Sequence, residues 1–227
     1  MIKLENDHGT YRLMKSEKPF FIRGGEVGNS SASCRQYMEE IWPHLSAMNV
    51  NTVLTPVYWE SMEPEEGRFD FTQVDYLIQG ARAHRLHLVL LWFGSWKNSM
   101  SCYVPAWIKE DSRTYPRARR RDGGPMEILS AFSSRNLKAD ARAFAALMAH
   151  LKKTDADEET VLMVQVENEV AMVDQARDYG PEAGEAYNAP VPAELLNHLP
   201  SLKENLRPQP DSPHPENLRP SPTLMWK

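Results

Sequence analysis

The pentapeptide from Gln165 to Glu169, QVENE, sets two carboxylates and an amide where an apolar run stops. Two carboxylates in such a place divide acid and base duties when their surroundings separate their pKa values. Strict strand alternation predicts Gln165, Glu167 and Glu169 on one face, and Asn168 joins them only through an irregular strand end. On spacing alone a second reading is equally open, in which these residues do no more than solvate a strand end.

The elements that must position this segment follow a βα rhythm, short apolar strands alternating with amphipathic helices, as in units wound around a parallel sheet. A first strand is expected at Phe20 to Glu26, with a helix inside Ser33 to Met48 where Tyr37, Ile41, Leu45 and Met48 recur at helical spacing; Pro43 kinks it or starts a second turn. A second strand, Thr52 to Tyr58, leads to a helix at Thr72 to His84 whose Val74, Leu77, Ile78 and Ala81 form one apolar face. The third strand, Leu86 to Phe93, is apolar on both faces, the mark of a strand covered on both sides. A long connection, Gly94 to Leu129, is rich in aromatic residues and carries the run Arg117, Arg119, Arg120 and Arg121, read chiefly as a solvated loop. The last helix, Arg135 to Lys153, shows a stripe of Leu137, Ala141, Phe144, Met148 and Leu151 and feeds the strand Thr160 to Glu167.

Composition bounds the function. The 227 residues carry 26 Lys+Arg against 31 Asp+Glu, a formal charge of -5, which disfavours a general nucleic-acid binder. Two cysteines, Cys34 and Cys102, make neither a disulfide framework nor a clustered zinc site, and no metal or cofactor is expected. No apolar window is long enough to span a membrane, and Glu5 and Asp7 interrupt the amino terminus where a secretory signal needs an unbroken apolar stretch, so a cytoplasmic chain is expected. Seven prolines lie in residues 1–180 and ten in 181–227, where ENLRP occurs at 204–208 and again at 216–220. An extended, poorly ordered Pro-rich tail is expected at 201–227, after a main unit of residues 1–200.

VQVENE, WESMEPEEGRFDF at Trp59 to Phe71 and PAWIK at Pro105 to Lys109 together resemble the glycoside hydrolase family 35 β-galactosidases, to which the family 42 β-galactosidases are related. The resemblance covers roughly residues 17 to 200, and GGEVGNSSAS at Gly24 to Ser33 is similar to one subgroup. It implies an α/β fold, a (β/α)8 TIM barrel of which this chain holds about the first four units, and retaining hydrolysis of terminal β-galactosides. It also implies Glu169 as the general acid/base and Asn168 as the residue that holds the sugar 2-hydroxyl. Burial is expected to keep Glu169 protonated. Trp59 and Trp96 are candidates either to stack on sugar faces or to pack the barrel mouth; Glu26, Glu60 and Asn98, at strand ends, are candidates to bind hydroxyls, and Glu63 with Pro64 shapes a loop.

The sequence departs from the family pattern at Pro56, at Val170 and Ala171 after the catalytic Glu, and at GSWKNS, Gly94 to Ser99. It also offers no strand-helix pattern after Val170, whereas the family's nucleophile stands at the end of the seventh strand and a full barrel takes ~250 residues. The expectation is the amino-terminal half of a glycosidase, catalytically incomplete and prone to self-association through two open sheet edges. The alternative is a non-catalytic carbohydrate-binding or interaction protein derived from one. HxxH at His84 and His87 and the lone Cys102 are read as structural.

Overall fold

In the computed structural model, which describes residues 2–198, the chain opens with a three-stranded antiparallel meander, β1 (Ile2–Asp7), β2 (Thr10–Lys15) and β3 (Lys18–Pro19). The β1–β2 hairpin turns at His8 and Gly9, both with positive φ, the twist a two-residue hairpin requires. This sheet has no counterpart in the sequence reading, because most of its side chains are exposed and leave little apolar alternation to detect. The Pro-rich tail expected at 201–227 lies outside the described residues.

A parallel sheet follows. Its first strand, β4 (Gly24–Glu26), is only the end of the expected Phe20 to Glu26 segment. Phe20 instead donates its amide to Leu13 O and belongs with the amino-terminal sheet. Then come α1 (Arg35–Ala47), with Pro43 inside it, β5 (Thr52–Tyr58), the short α2 (Trp59–Met62), α3 (Thr72–Ala83) and β6 (His87–Phe93). The long connection holds α4 (Ala106–Lys109) and an antiparallel hairpin of β7 (Arg117–Arg119) and β8 (Pro125–Leu129). After it come α5 (Ser134–Thr154), β9 (Val161–Val166), α6 (Pro181–Asn188) and α7 (Ala193–His198). The four parallel strands run in the order β4-β5-β6-β9, so each neighbour is reached through a helical crossover. None of the described helices is long and apolar enough to cross a membrane.

The core forms where apolar faces of helix and sheet meet. β5 and β6 pair over their whole length, from Thr52↔His87 to Tyr58↔Phe93, and bury nearly every side chain. On the helical side, Trp42 of α1 lies flat against Gly80 of α3, where a Cβ would come within 2.5 Å of the indole Nε1. Glycine costs a helix interior about 0.5–1 kcal/mol, and this close approach is the compensating gain.

Helix α5 corrects one expectation. It buries Ala139, Ala143, Leu147 and Leu151, whereas Leu137 and Met148 of the predicted stripe are 65% and 41% exposed. Both stripes have helical spacing, but small alanines let the helix approach the sheet more closely than the bulkier stripe would. Of the predicted stripe Leu151 is buried and Phe144 packs against the core, while Leu137, Ala141 and Met148 flank the free edge of β9, where Met163 and Val166 are also exposed.

A buried ion pair ties α5 to the loop after β5. Glu63, with no exposed surface, accepts hydrogen bonds from Trp59 Nε1 (2.7 Å), Gly67 N (2.8 Å) and Arg142 Nη2 (2.7 Å). Its carboxylate thus shapes the loop, as the sequence suggested, and reaches the helix as well. Arg142→Ala leaves that carboxylate with two neutral donors only, and because the guanidinium is 43% exposed and screened by solvent, chemical denaturation is expected to show a loss of about 1 kcal/mol.

Candidate active site

Because the four strands are parallel, their carboxyl ends share one rim of the sheet, the side on which ligands bind in parallel α/β folds. Glu26 closes β4, Trp59 and Glu60 follow β5, the segment Gly94 to Lys97 follows β6, and Glu167 to Glu169 follow β9. The rim therefore gathers Glu26, Trp59, Glu60, Trp96, Asn98, Asn168 and Glu169, though not in equivalent roles.

The end of β9 is irregular. Glu167 (φ 60°) and Glu169 (φ 51°) both take the left-handed conformation, so the strict alternation expected for Gln165, Glu167 and Glu169 fails. Glu167 turns back across the gap to β6, where Oε1 accepts from Ser95 N (3.2 Å) and Oε2 from Trp96 N (2.7 Å). Asp140 of α5 meets it there, its own oxygens accepting from Trp92 Nε1 (3.0 Å) and Ser95 N (2.8 Å). Burial first, and then the hydrogen bond and charge of Asp140, push the Glu167 carboxyl up to about 9, against the partial relief of the two amides. At neutral pH Glu167 keeps its proton. Gly94 sits where these groups converge, and any Cβ there would overlap Trp92, Glu167 and Asp140.

This corrects the expectation for Glu169. Its side chain is exposed, and the burial foreseen for it falls on Glu167. Glu169 stands at the open rim, its carbonyl accepting from Ser99 Oγ (3.3 Å) and Ala171 N (2.7 Å). Asn168, half-buried beside it, donates its amide N–H to Trp96 O (3.2 Å) and accepts at Oδ1 from Lys97 Nζ (2.9 Å).

The remaining candidates divide by exposure. Trp59 has none: it packs against Trp92 and Trp107 with its N–H on Glu63, so it offers no ring face to a sugar and takes the packing role. Trp96 is half-buried beside Ala118, Met126 and Ile128. Glu60 pairs with Lys109 (3.0 Å), Glu26 is exposed, and Asn98 sits exposed at the tip of the Lys97–Met100 turn. Arg117 departs from the solvated-run reading, its side chain being only 14% exposed on the β7–β8 hairpin. His84 stacks on Trp42 and His87 meets Phe20 edge-on, so the HxxH pair shares no metal-facing side; Cys102 is exposed. Among the described residues no group of three or more His, Cys, Asp or Glu side chains is placed to hold a metal.

Sequence reasoning missed Asp140 and Lys97. The available signal for Asp140 was its place on the alanine face of α5, where an acidic residue must find buried donors. The Glu167 pair makes stability fall as pH rises. Between the ordinary 4.5 and about 9 the folded chain keeps a proton that the unfolded chain releases. Glu167→Gln removes that dependence, so its melting temperature relative to wild type is expected to rise steadily from pH 5 to pH 9. A constant offset across that range contradicts the assignment.

The family model of β-galactosidase, glycoside hydrolase family 42, matches residues 29–206. No curated protein matches the chain significantly. Among solved structures, the β-galactosidase of the psychrophilic Marinomonas ef1 superposes with a TM-score of 0.59 at 14% identity, over 78% of this chain and 25% of that one. The polyextremophilic β-galactosidase of the Antarctic haloarchaeon Halorubrum lacusprofundi superposes with a TM-score of 0.57 at 19% identity, over 73% of this chain and 23% of that one. At such identities these two likenesses establish shared fold alone, and the chain spans about a quarter of the length of either protein. The family matched is 42, a relative of family 35, and family 35 itself finds no support. With most of its length matched, the chain belongs to the glycoside hydrolase family 42 β-galactosidases.

Proposed function

We propose that this chain is a β-galactosidase-like glycoside hydrolase domain whose parallel sheet forms the first strands of a (β/α)8 barrel, with Glu169 as its general acid/base. The observation that carries the reading is the rim itself: Glu169 is exposed at the carboxyl end of β9, with Asn168 beside it and the buried Glu167 clamp behind. In the retaining reaction Glu169 protonates the leaving glycosidic oxygen and later deprotonates the attacking water, while Asn168 holds a sugar hydroxyl. Trp96, Glu60, Glu26 and Asn98 are the further candidates for contacts to a β-galactoside.

Glu167 is not proposed as the acid, although it is the protonated carboxyl at neutral pH. Both of its oxygens are occupied by backbone amides that the third-strand loop needs for its own position.

Double displacement needs a second carboxylate ~5 Å from the first, which the family pattern puts on a seventh strand. The described parallel sheet has four strands. We infer that the 227-residue chain alone binds sugar without efficient turnover. An aryl β-galactoside is expected to be hydrolysed near background, with galactose binding detectable by calorimetry. Robust hydrolysis abolished by Glu169→Gln would overturn the inference of incompleteness and support the acid/base role. Absence of binding to any galactoside would count against the carbohydrate reading, including its non-catalytic alternative.

The open edge of β9 and the exposed stripe of Leu137, Ala141 and Met148 beside it make self-association the expected behaviour of the isolated chain. Light scattering is expected to give a mass above 26.0 kDa that falls when Leu137 and Met148 are both changed to Glu. A monodisperse monomer would remove this proposal.

A further inference from the structure

We propose that Lys97 is a positioning residue that fixes the Asn168 side chain with its oxygen turned inward and its NH2 group turned to the rim, so that this site donates to an acceptor oxygen of the bound sugar. The inference rests on the carbohydrate reading above and adds to it the direction of one hydrogen bond.

Lys97 is 7% exposed, although lysine is almost never buried unless its charge has partners. Its ammonium has two: it lies 4.6 Å from the centroid of the Phe93 ring and 2.9 Å from Asn168 Oδ1. Among the described residues it forms no ion pair. A buried amine of this kind needs hydrogen-bond partners, and holding Asn168 Oδ1 is the task the geometry gives this one.

The task follows from donor chemistry. An asparagine amide has an accepting and a donating end of nearly equal shape, and in isolation either can face a ligand. Lysine has three donors and no acceptor, so only the oxygen of Asn168 can face it. The Nδ2 group is thereby directed away from Lys97, with two N–H donors free for an acceptor.

The backbone holds both partners in this relation. Lys97 and Met100 exchange amide hydrogen bonds (2.8 and 3.0 Å) around a turn whose central residues, Asn98 and Ser99, have φ of 52° and 57°. That turn touches the end of β9 at two further points, Asn168 N on Trp96 O and Ser99 Oγ on Glu169 O. Lys97 thus belongs to a rigid bracket joining the loop after β6 to the two residues proposed to act on the sugar. This bracket is what the GSWKNS string, Gly94 to Ser99, builds.

The test is side-chain amide NMR on the intact 15N-labelled chain, with the Asn168 signals assigned by their loss in Asn168→Asp. Without ligand, Lys97→Met is expected to shift the Asn168 NH2 pair toward the positions of a freely rotating asparagine, and Lys97→Arg, which keeps a charged donor, to restore it. An Asn168 pair unmoved in Lys97→Met overturns the proposal. Should Lys97→Met fail to fold, Asn168→Asp decides the matter through the Lys97 ammonium signal, which must shift when its neutral acceptor becomes a carboxylate; an unmoved signal overturns the proposal equally. Galactose is then titrated as the probe. It is expected to move the Asn168 NH2 pair in the wild type and to bind about tenfold more weakly to Lys97→Met, the loss of one oriented hydrogen bond. A wild type that ignores galactose defeats the carbohydrate reading, while the ligand-free spectra still judge the bracket by themselves.

Discussion

The end of β9 takes its course chiefly from the carboxyl of Glu167, which crosses to the neighbouring strand and accepts from the amides of Ser95 and Trp96. Those two amides belong to the loop after β6, beyond the last ladder pair of the two strands, Trp92↔Val166, so the sheet itself leaves them without partners. An acidic side chain is a good acceptor for two converging N–H groups, but a second acid, Asp140, is already there for Trp92 and Ser95. Two carboxylates this close cannot both ionise in a partly buried site, and the proton retained by Glu167 resolves the conflict. Everything displayed at the rim, from Lys97 to Glu169, is held on the solvent side of this clamp.

A second carboxylate gathers converging donors at the end of the neighbouring strand. Glu63 takes the indole N–H of Trp59, the amide of Gly67 and the guanidinium of Arg142. Here the third partner is the Arg142 guanidinium, and the carboxylate locks the loop after β5 to α5. Helix α5 therefore anchors both strand-end segments, through Asp140 on one side and Arg142 on the other. Glu63 and Glu167 turn inward to satisfy backbone and indole donors, whereas Glu26 and Glu169 are left exposed at the rim.

The apolar surface beside β9 reflects the chemistry of α5. Its alanine face lets the helix lie close on the sheet, and the larger side chains that share its helical period are left pointing along the free edge. A strand with one paired side and a helix with a second apolar stripe form a surface that water covers poorly. Packing density selected which of two equally periodic stripes was buried.

Much of the molecule was legible in the chain. Thr52–Tyr58 appears as a strand with the expected bounds, and the α3, β6 and α5 segments differ from theirs by a residue or two, because long periodic patterns and apolar runs carry their own structure. The strand-end placement of Glu169 and Asn168 was equally visible, since the polar residues follow directly on the apolar run of β9. The amino-terminal meander was not, for its exposed residues encode little alternation, and neither was the shortening of the first strand by pairing of Phe20 with Leu13. What only the tertiary structure decided is which carboxylate is buried. Glu167 and Glu169 are chemically identical and two residues apart, and the choice between them came from donors on distant segments, Ser95, Trp96 and the Asp140 side chain, together with a left-handed turn that no strand periodicity specifies. Sequence fixes the order of groups along a strand; the direction in which each points at its frayed end is set by what the rest of the fold leaves unsatisfied there.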